Sequence, residues 1–283
     1  MNSHEDARHS HAPQVSVIIA VYNRFEWLEM ALTALKYQTY KDFEVVIADD
    51  GSDEVTVAAV ERFAAAAPFA IHHCWHPDSG WRKNVMLNKA VVAARGSYLV
   101  FLDGDCIPSA RWLADHVALR RRGVVLTGRR MQLSHQLTAT LTAADVDSRA
   151  RLARLAWRAL RGAFADGMRH KMRCVRLPRP SLLPLLRRDA GVLGCNFSIY
   201  KDDLLAVNGF DERYINPGTG EDTDLEYRLR AAGVAVRAYS HYMIVYHRNH
   251  RRLEVNSAEN AALLAQNRAA GISYTPYGIN RHS

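Results

Sequence analysis

The sequence predicts an α/β domain whose central, mostly parallel sheet is flanked by helices. Two observations carry that expectation. Over residues 15–103, short apolar or β-branched runs alternate with segments of helical period, the pattern of strands joined by crossover helices. Three of those runs end in polar residues, Tyr22-Asn23, Asp49-Asp50 and Asp103-Gly104-Asp105. In open sheets of this kind ligands bind beyond the carboxyl ends of the strands. A chain of 283 residues, 48% hydrophobic and 23% charged, is large enough for a substantial core and ordinary in composition. No apolar run approaches the roughly 18 residues of a spanning helix.

The elements follow in order. "VSVIIAVYN" (15–23) reads as a buried strand, and "EWLEMALTALKYQ" spaces Trp27, Leu28, Ala31, Leu32 and Leu35 as one face of a helix. "FEVVIADDGSDE" is a second strand running into acids, and "TVAAVERFAAAA" a second helix. "AIHHCW" gives a third strand, "RKNVMLNKAVVAA" a third helix and "SYLVFLD" a fourth strand. Further along, Asn196–Tyr200 is a short strand followed by a helical turn ending at Asn208-Gly209. "NPGTG" (216–220) is a loop, because its proline and two glycines deny regular structure. "EDTDLEYRLRAAG" opens a helix, with Gly233 suited to its C-terminal end.

Asp103 and Asp105 pose a chemical question, since like charges so close repel unless a cation lies beside them. Carboxylates are ligands for Mg²⁺ or Mn²⁺, ions often shared with substrate phosphates. A solvated Asp-Gly-Asp turn explains the triplet equally simply, as Asp, Gly and Ser are turn formers. No G-x-G-x-x-G follows the first strand and no G-x-x-x-x-G-K-[ST] occurs in the chain. The sequence therefore lacks the phosphate cradle of a dinucleotide-binding or P-loop protein.

Taken in order, "VSVIIAVYNRFEWLEMALTAL", "QTYKDFEVVIADDGSDE", "RKNVMLNKAVVAARGSYLVFLDGDCIP" and "NGFDERYINPGTGEDTDLEYRLRAAG" resemble family 2 glycosyltransferases of the GT-A type. The resemblance spans residues 15 to about 233. It implies that Ala20, Tyr22 and Asn23 line a nucleotide-sugar pocket, that Asp50 accepts from the base, and that Arg82 lies near base or phosphates. Asp103 and Asp105 match the D-x-D motif that reaches ribose and metal. A surface arginine at a helix start accounts for Arg82 as well.

Acids in the first turn of a helix favour its dipole, which by itself accounts for Glu221, Asp222 and Asp224. The same stretch, however, resembles the C-terminal half of β-1,4-galactosyltransferases and chondroitin-polymerase-like enzymes, where a Gly-Glu-Asp segment follows a glycine-rich loop. By that resemblance Asp222 is the catalytic base and Glu221 its neighbour at the acceptor site. Those galactosyltransferases place a tryptophan in the loop to stack on the acceptor sugar, and "NPGTG" has none, which leaves the acceptor open. "HYMIVYHRNHRR" supplies His241, His247 and His250. His247 matches the histidine that completes the metal site in related enzymes, with His250 in reserve. An imidazole beside two carboxylates suits Mn²⁺ better than Mg²⁺.

The net charge of +8 is concentrated in one place. Residues 149–188 hold twelve Arg or Lys and one acid, Asp166; the remaining residues hold 25 basic and 28 acidic. Within 149–164, Leu152, Leu155, Ala156, Ala159, Leu160 and Phe164 fall on one helical face and Arg151, Arg154, Arg158 and Arg161 on the other. Such a helix fits an anionic bilayer surface, and equally a solvated arm or a subunit contact. No nucleic-acid motif accompanies the charge, so no nucleic-acid partner is expected. Cys74, Cys106, Cys174 and Cys195 form no CxxC pair and read as reduced, mostly buried thiols rather than a zinc site.

The expected organisation is a disordered tail at 1–13, a domain at 14–253 and a C-terminal tail at 254–283. The domain comprises a nucleotide-binding half (14–110), a basic and amphipathic insertion (111–190) and an acceptor half (191–253). No apolar signal core precedes residue 15, which predicts a cytoplasmic protein, peripheral on the inner membrane face if 149–188 binds lipid. The resemblance implies an inverting, metal-dependent transfer of a hexose or N-acetylhexosamine from a UDP-sugar to a saccharide or lipid-linked saccharide, as in bacterial surface polysaccharide or glycolipid synthesis. Two rivals remain. A nucleotide-sugar pyrophosphorylase calls for a glycine-rich basic loop after the first strand, where this chain has "AVYNRFEW". A non-enzymatic adaptor using only 149–188 leaves the acids at 103, 105 and 222 dispensable.

Overall fold

Eight strands form the central sheet of the computed structural model, which describes residues 12–165, 175–177, 187–188, 191–218, 220–250 and 258–282, with only the backbone of 163–165 and 187–188. The first half runs β1 (Val15–Val21), α1 (Phe25–Lys36), β2 (Phe43–Asp49), α2 (Glu54–Ala65), β3 (Ile71–Trp75), α3 (Lys83–Ala93) and β4 (Tyr98–Asp103). Then come β5 (Cys106–Pro108), α4 (Trp112–Leu119), β6 (Val124–Thr127), β7 (Arg129–Gln132), α5 (His135–Thr140) and α6 (Arg149–Ala165). The second half has β8 (Arg187–Arg188), β9 (Asn196–Tyr200), α7 (Lys201–Leu205), α8 (Glu221–Ala231), β10 (Ala235–Tyr239), β11 (Ile244–His247) and α9 (Ala258–Ala269).

The sheet order is β3-β2-β1-β4-β9-β6-β10-β8. β1, β2, β3 and β4 are parallel, and β9 is antiparallel to both β4 and β6. β1 lies between β2 and β4, so the chain leaves it first to one side and later to the other. This reversal opens a crevice at the carboxyl ends of those strands. Alternation along β1 fills both faces: Val15, Val17, Ile19 and Val21 pack with Leu28, Leu32 and Leu35 of α1, while Ile18 packs with Met86 and Val91 of α3. A second sheet, β5-β11-β7, lies beyond the ends of β4 and β6.

Three segments differ from the sequence expectation. Residues 111–190 are not set apart as an insertion in their described part. Trp112 is fully buried, β6 lies inside the main sheet, and β7 joins the small one. The runs "VVLT" and "RRMQ" are too short and too mixed to announce themselves as strands. α6 does carry its predicted apolar stripe, but Leu152, Leu155 and Ala159 are buried against Met30, Met131 and Tyr246. On its outer side Arg151 pairs with Asp147 at 2.9 Å and Arg158 with Asp145 at 2.8 Å, while Trp157 is 69% exposed. The rest of the basic segment, residues 166–174 and 178–186, lies outside the described residues, as do residues 1–11 of the expected N-terminal tail and Cys174.

The C-terminal stretch, expected as a tail, packs on the domain through polar residues that hydropathy does not reveal. Asn267 Nδ2 donates to Asp224 Oδ1 at 2.7 Å, and the same carboxylate receives Arg228 Nε at 2.7 Å with both charged side chains fully buried. Ile279 is 4% exposed and belongs to the core under α3. Asn267→Ala is expected to cost about 1–3 kcal/mol, the usual loss when a buried acceptor is left without its donor. A urea denaturation midpoint lower than wild type, with unchanged slope, checks it. No helix among the described residues is long and apolar enough to cross a membrane.

Candidate active site

The crevice at the ends of β1, β2 and β4 is a cleft of about 470 Å³, a volume suited to a small ligand. Ala20, Tyr22, Asn23, Asp50, Asp103 and Asp105 all line it, together with Trp27, Asp78, Trp81, Lys83, Pro217 and His250. The strand register brings the acids together, because β1 pairs Ala20 with Asp103 on one side and Ala48 on the other. Asn23 and Arg24 turn sharply through left-handed backbone (φ 54° and 58°), and Asn23 N–H donates to Ser52 Oγ at 2.6 Å. That turn ties the first strand end to the loop after β2.

Asp50 is 6% exposed and held from two sides. Its Oδ1 meets His76 Nε2 at 3.0 Å and its Oδ2 accepts the Arg82 N–H at 2.8 Å. Burial raises its pKa above the ordinary value, against those hydrogen bonds. Arg82 contributes this backbone N–H, while its guanidinium donates to its own neighbour's carbonyl, Trp81 O, at 3.1 Å. The side chain that enters the cleft from this helix start is the next one, Lys83.

Lys83 Nζ lies 2.9 Å from Asp103 Oδ1. Burial would lower its pKa, but Asp103 and Asp222 outweigh that and hold the ammonium well above its usual value. The lysine thus links Asp103 at the end of β4 to the acids at the start of α8. Asp222 Oδ2 accepts the Gly194 N–H at 2.9 Å, and a Cβ at residue 194 would fall 2.3 Å from both carboxylate oxygens. Only glycine permits that approach. Burial raises the pKa of Asp222, with Lys83 opposing. Burial, reinforced by Asp222, pushes Glu221 up to about 7. Glu221 Oε2 is buried with no hydrogen-bond partner among the described residues. Gly220, which precedes these acids, has φ 120° and packs against the Tyr214 ring, so it too admits no side chain.

Asp105 sits apart from Lys83, on the other rim. His247 Nε2 is 3.2 Å and His250 Nε2 2.9 Å from the same oxygen, Asp105 Oδ2. Burial alone would raise this carboxyl's pKa, but the two imidazoles hold it far below the usual range. The small sheet explains the meeting: β5 and β11 pair Cys106 with His247, and Arg248 N–H donates to Asp105 O at 3.1 Å. His250 stacks on Trp27 with ring centroids 5.7 Å apart. A carboxylate and two imidazoles aimed at one point form a donor set suited to a divalent transition ion. Asp103 belongs to Lys83 rather than to this group.

Lys83, Asp78, Trp81 and Gly194 carry no functional signal in the sequence, and Trp27 reads there only as part of a helix face. The phase of a helix start is hard to read, and that hid Lys83 behind Arg82. Gly194 meets Asp222 only through the fold.

Residues 16–169 match Glycosyl transferase family 2, and residues 187–251 match the N-terminal domain of galactosyltransferase. The chain is 30% identical over 241 residues to a validoxylamine A glucosyltransferase of Streptomyces hygroscopicus subsp. jinggangensis, covering 80% of this chain and 53% of that one. It is 28% identical over 229 residues to a chondroitin synthase of Pasteurella multocida, covering 79% and 23%. The chain thus spans about half or less of these curated relatives. Among solved structures, S. aureus TarS 1-349 in complex with UDP-GlcNAc superposes with a TM-score of 0.61 at 16% identity, over 95% of this chain and 69% of that one. The mannosyltransferase PcManGT of Pyrobaculum calidifontis, in complex with GDP-Man and Mn²⁺, gives 0.56 at 20% identity, over 86% and 59%. These likenesses establish a shared GT-A fold.

Proposed function

The chain belongs to glycosyl transferase family 2, and from that premise we propose that it moves a hexose or N-acetylhexosamine from a UDP-sugar to a saccharide hydroxyl, inverting the anomeric centre. The observation that carries the reading is the division of the cleft. One rim holds Asp105 with His247 and His250; Lys83 and Asp103 line the cleft opposite, and Asp222 and Glu221 lie next to Lys83, within reach of its charge.

Asp222 is the base. It takes the proton of the acceptor hydroxyl as that oxygen attacks the sugar, and its raised pKa makes it a better acceptor than a solvated carboxylate. Gly194 N–H holds the carboxylate by one oxygen and leaves the other for the acceptor. Lys83 keeps the neighbouring acids from repelling one another and leaves Asp103 Oδ2 for the ribose. Asp50 has one side toward the cleft for the base, with Tyr22 and Asn23 beside it. Asp105, His247 and His250 would hold Mn²⁺, or less well Mg²⁺, which when bound stabilises the departing diphosphate. No covalent intermediate on the protein is needed. Similarity to a chondroitin synthase supports a saccharide acceptor; that this acceptor is lipid-linked or of the bacterial surface is part of the proposal.

The test is transfer from a panel of UDP- and GDP-sugars with Mn²⁺, with the product's anomeric configuration read by NMR. UDP-dependent transfer with inversion supports the proposal. Retention of configuration, or pyrophosphorolysis in place of transfer, overturns it.

Exposed Trp157 favours a second feature, contact with an anionic membrane surface through α6. Leu152, Leu155 and Ala159 of the stripe are already buried, so the contact falls to Trp157 and the arginines. Replacing Arg151, Arg154, Arg158 and Arg161 with Gln is expected to release the protein from anionic liposomes, at roughly 1 kcal/mol per basic residue. Co-sedimentation unaffected by the change, or absent from wild type, removes the membrane from the account.

A further inference from the structure

The chain carries a buried thiol directly behind the cleft residue Asp105 that the transfer reaction does not use. Cys106 follows Asp105 directly and is fully buried, and its Sγ lies 3.5 Å from Asp105 Oδ1. The β5–β11 register sets it opposite His247. One ligating atom from each of Asp105, Cys106 and His247 falls within 4.8 Å of the other two. The His247 ring is nearly buried; its Nε2 meets Asp105, and its other nitrogen, Nδ1, has no hydrogen-bond partner among the described residues.

We propose that Asp105, Cys106 and His247 form a site for a thiophilic divalent cation, Zn²⁺ or Cd²⁺, that competes with the ion needed for transfer. The inference deepens the reading of the same rim and rests on it only for the competition.

Donor chemistry is the first reason. An oxygen, a nitrogen and a sulfur together match zinc and cadmium, whereas Mg²⁺ takes oxygen donors and Mn²⁺ favours oxygen, with imidazole accepted. Size is the second. Bonds of about 2.0–2.3 Å to a tetrahedral Zn²⁺ place neighbouring donor atoms roughly 3.3–3.8 Å apart. The contacts here are 3.2 Å from His247 Nε2 to Asp105 Oδ2 and 3.5 Å from Cys106 Sγ to Asp105 Oδ1, so the imidazole and the thiol flank the two oxygens of one carboxylate at close to that spacing. On binding, the S–H bond breaks, the metal–sulfur bond forms and the proton leaves to solvent.

The consequence follows from coordination number. His250 Nε2, 2.9 Å from Asp105 Oδ2, is at hand as a fourth ligand. A tetrahedral site with four protein ligands is closed and leaves no position for a substrate phosphate. The Mn²⁺ arrangement leaves the thiol out and keeps positions open. The same rim therefore accepts two classes of ion, and one of them excludes the donor.

The test titrates the whole chain with Cd²⁺ and follows the thiolate-to-cadmium absorption in the ultraviolet. Wild type is expected to show a band saturating at one equivalent. Cys106→Ser is expected to lose it, while Cys74→Ser keeps it. His247→Ala is expected to weaken Cd²⁺ affinity by tenfold or more and keep the band. Cadmium NMR on wild type, which counts sulfur ligands, decides the matter without a variant: a shift characteristic of one thiolate supports the site. An all-oxygen-and-nitrogen shift, no band in wild type, or an undiminished band in Cys106→Ser overturns it. Competition is read by electron paramagnetic resonance, where Zn²⁺ is expected to release bound Mn²⁺. A cadmium–thiolate band in a protein that transfers no sugar would leave this site standing and remove only the transferase reading.

Discussion

Asp222→Asn is expected to lower sugar transfer by about 10² to 10⁴, the usual worth of general-base help, while leaving UDP affinity near wild type. The amide keeps the shape and can still accept from Gly194 N–H, but it cannot take a proton. Nucleotide binding survives because Asp222 lies across Lys83 from the strand ends that line the nucleotide side. The pH profile gives a second reading. Glu221 is pushed up to about 7 and the Asp222 carboxyl is also raised, both chiefly by burial. The two carboxyls titrate as a pair. In wild type the rate is expected to rise with pH through the neutral range as the pair gives up its proton, and Asp222→Asn is expected to lose that limb. Glu221→Gln is the comparison; it is expected to act partly through the acceptor KM. Near-normal transfer by Asp222→Asn would mean that these acids merely complement the helix dipole. Loss of UDP binding as well would place Asp222 on the nucleotide side.

The parts of this arrangement legible in the sequence are those written in a single segment. An apolar run that ends in acids is visible as such, so β1, β2 and β4 and the polar residues at their ends could be read directly. The glycine-rich loop before Glu221 could be read for the same reason. What stayed hidden depends on contacts between segments. Lys83 and Arg82 are adjacent, and only the three-dimensional phase of α3 decides which one meets Asp103. His247 and His250 are three positions apart, yet both reach one oxygen because β11 ends beside Asp105. Gly194 and Asp222 are 28 positions apart and linked by one hydrogen bond. The C-terminal helix was unreadable as a packed element because its anchors are Asn260 and Asn267, residues that ordinarily mark exposure. The charge of α6 was plain, but the burial of its apolar stripe depended on the unrecognised strand β7.

Asp105→Ala is expected to abolish Mn²⁺-dependent UDP binding while leaving the fold intact. The carboxylate is the common point of the donor set: without Oδ2, His247 and His250 face each other with ring centroids 5.2 Å apart and no anion between them. Two neutral imidazoles alone are a weak holder for Mn²⁺, which favours oxygen ligands and brings a phosphate-bound charge that needs neutralising. The fold is expected to survive because the backbone bond from Arg248 N–H to Asp105 O does not involve the side chain, and the residue sits at a turn between β4 and β5 rather than in the core. Calorimetric titration of UDP with and without Mn²⁺ reads the first expectation, and a thermal melt reads the second. Asp103→Asn serves as the contrast. Its partner is Lys83, so its loss is expected to weaken UDP binding to a similar degree whether or not Mn²⁺ is present. His247→Ala and His250→Ala then divide the remaining ligands by their separate effects on Mn²⁺ affinity. Equal UDP affinity in Asp105→Ala and wild type in the presence of Mn²⁺ would sink the metal role. A loss equally large without Mn²⁺ would mean that Asp105 touches the nucleotide itself, and that the two histidines orient a carboxylate rather than share an ion with it.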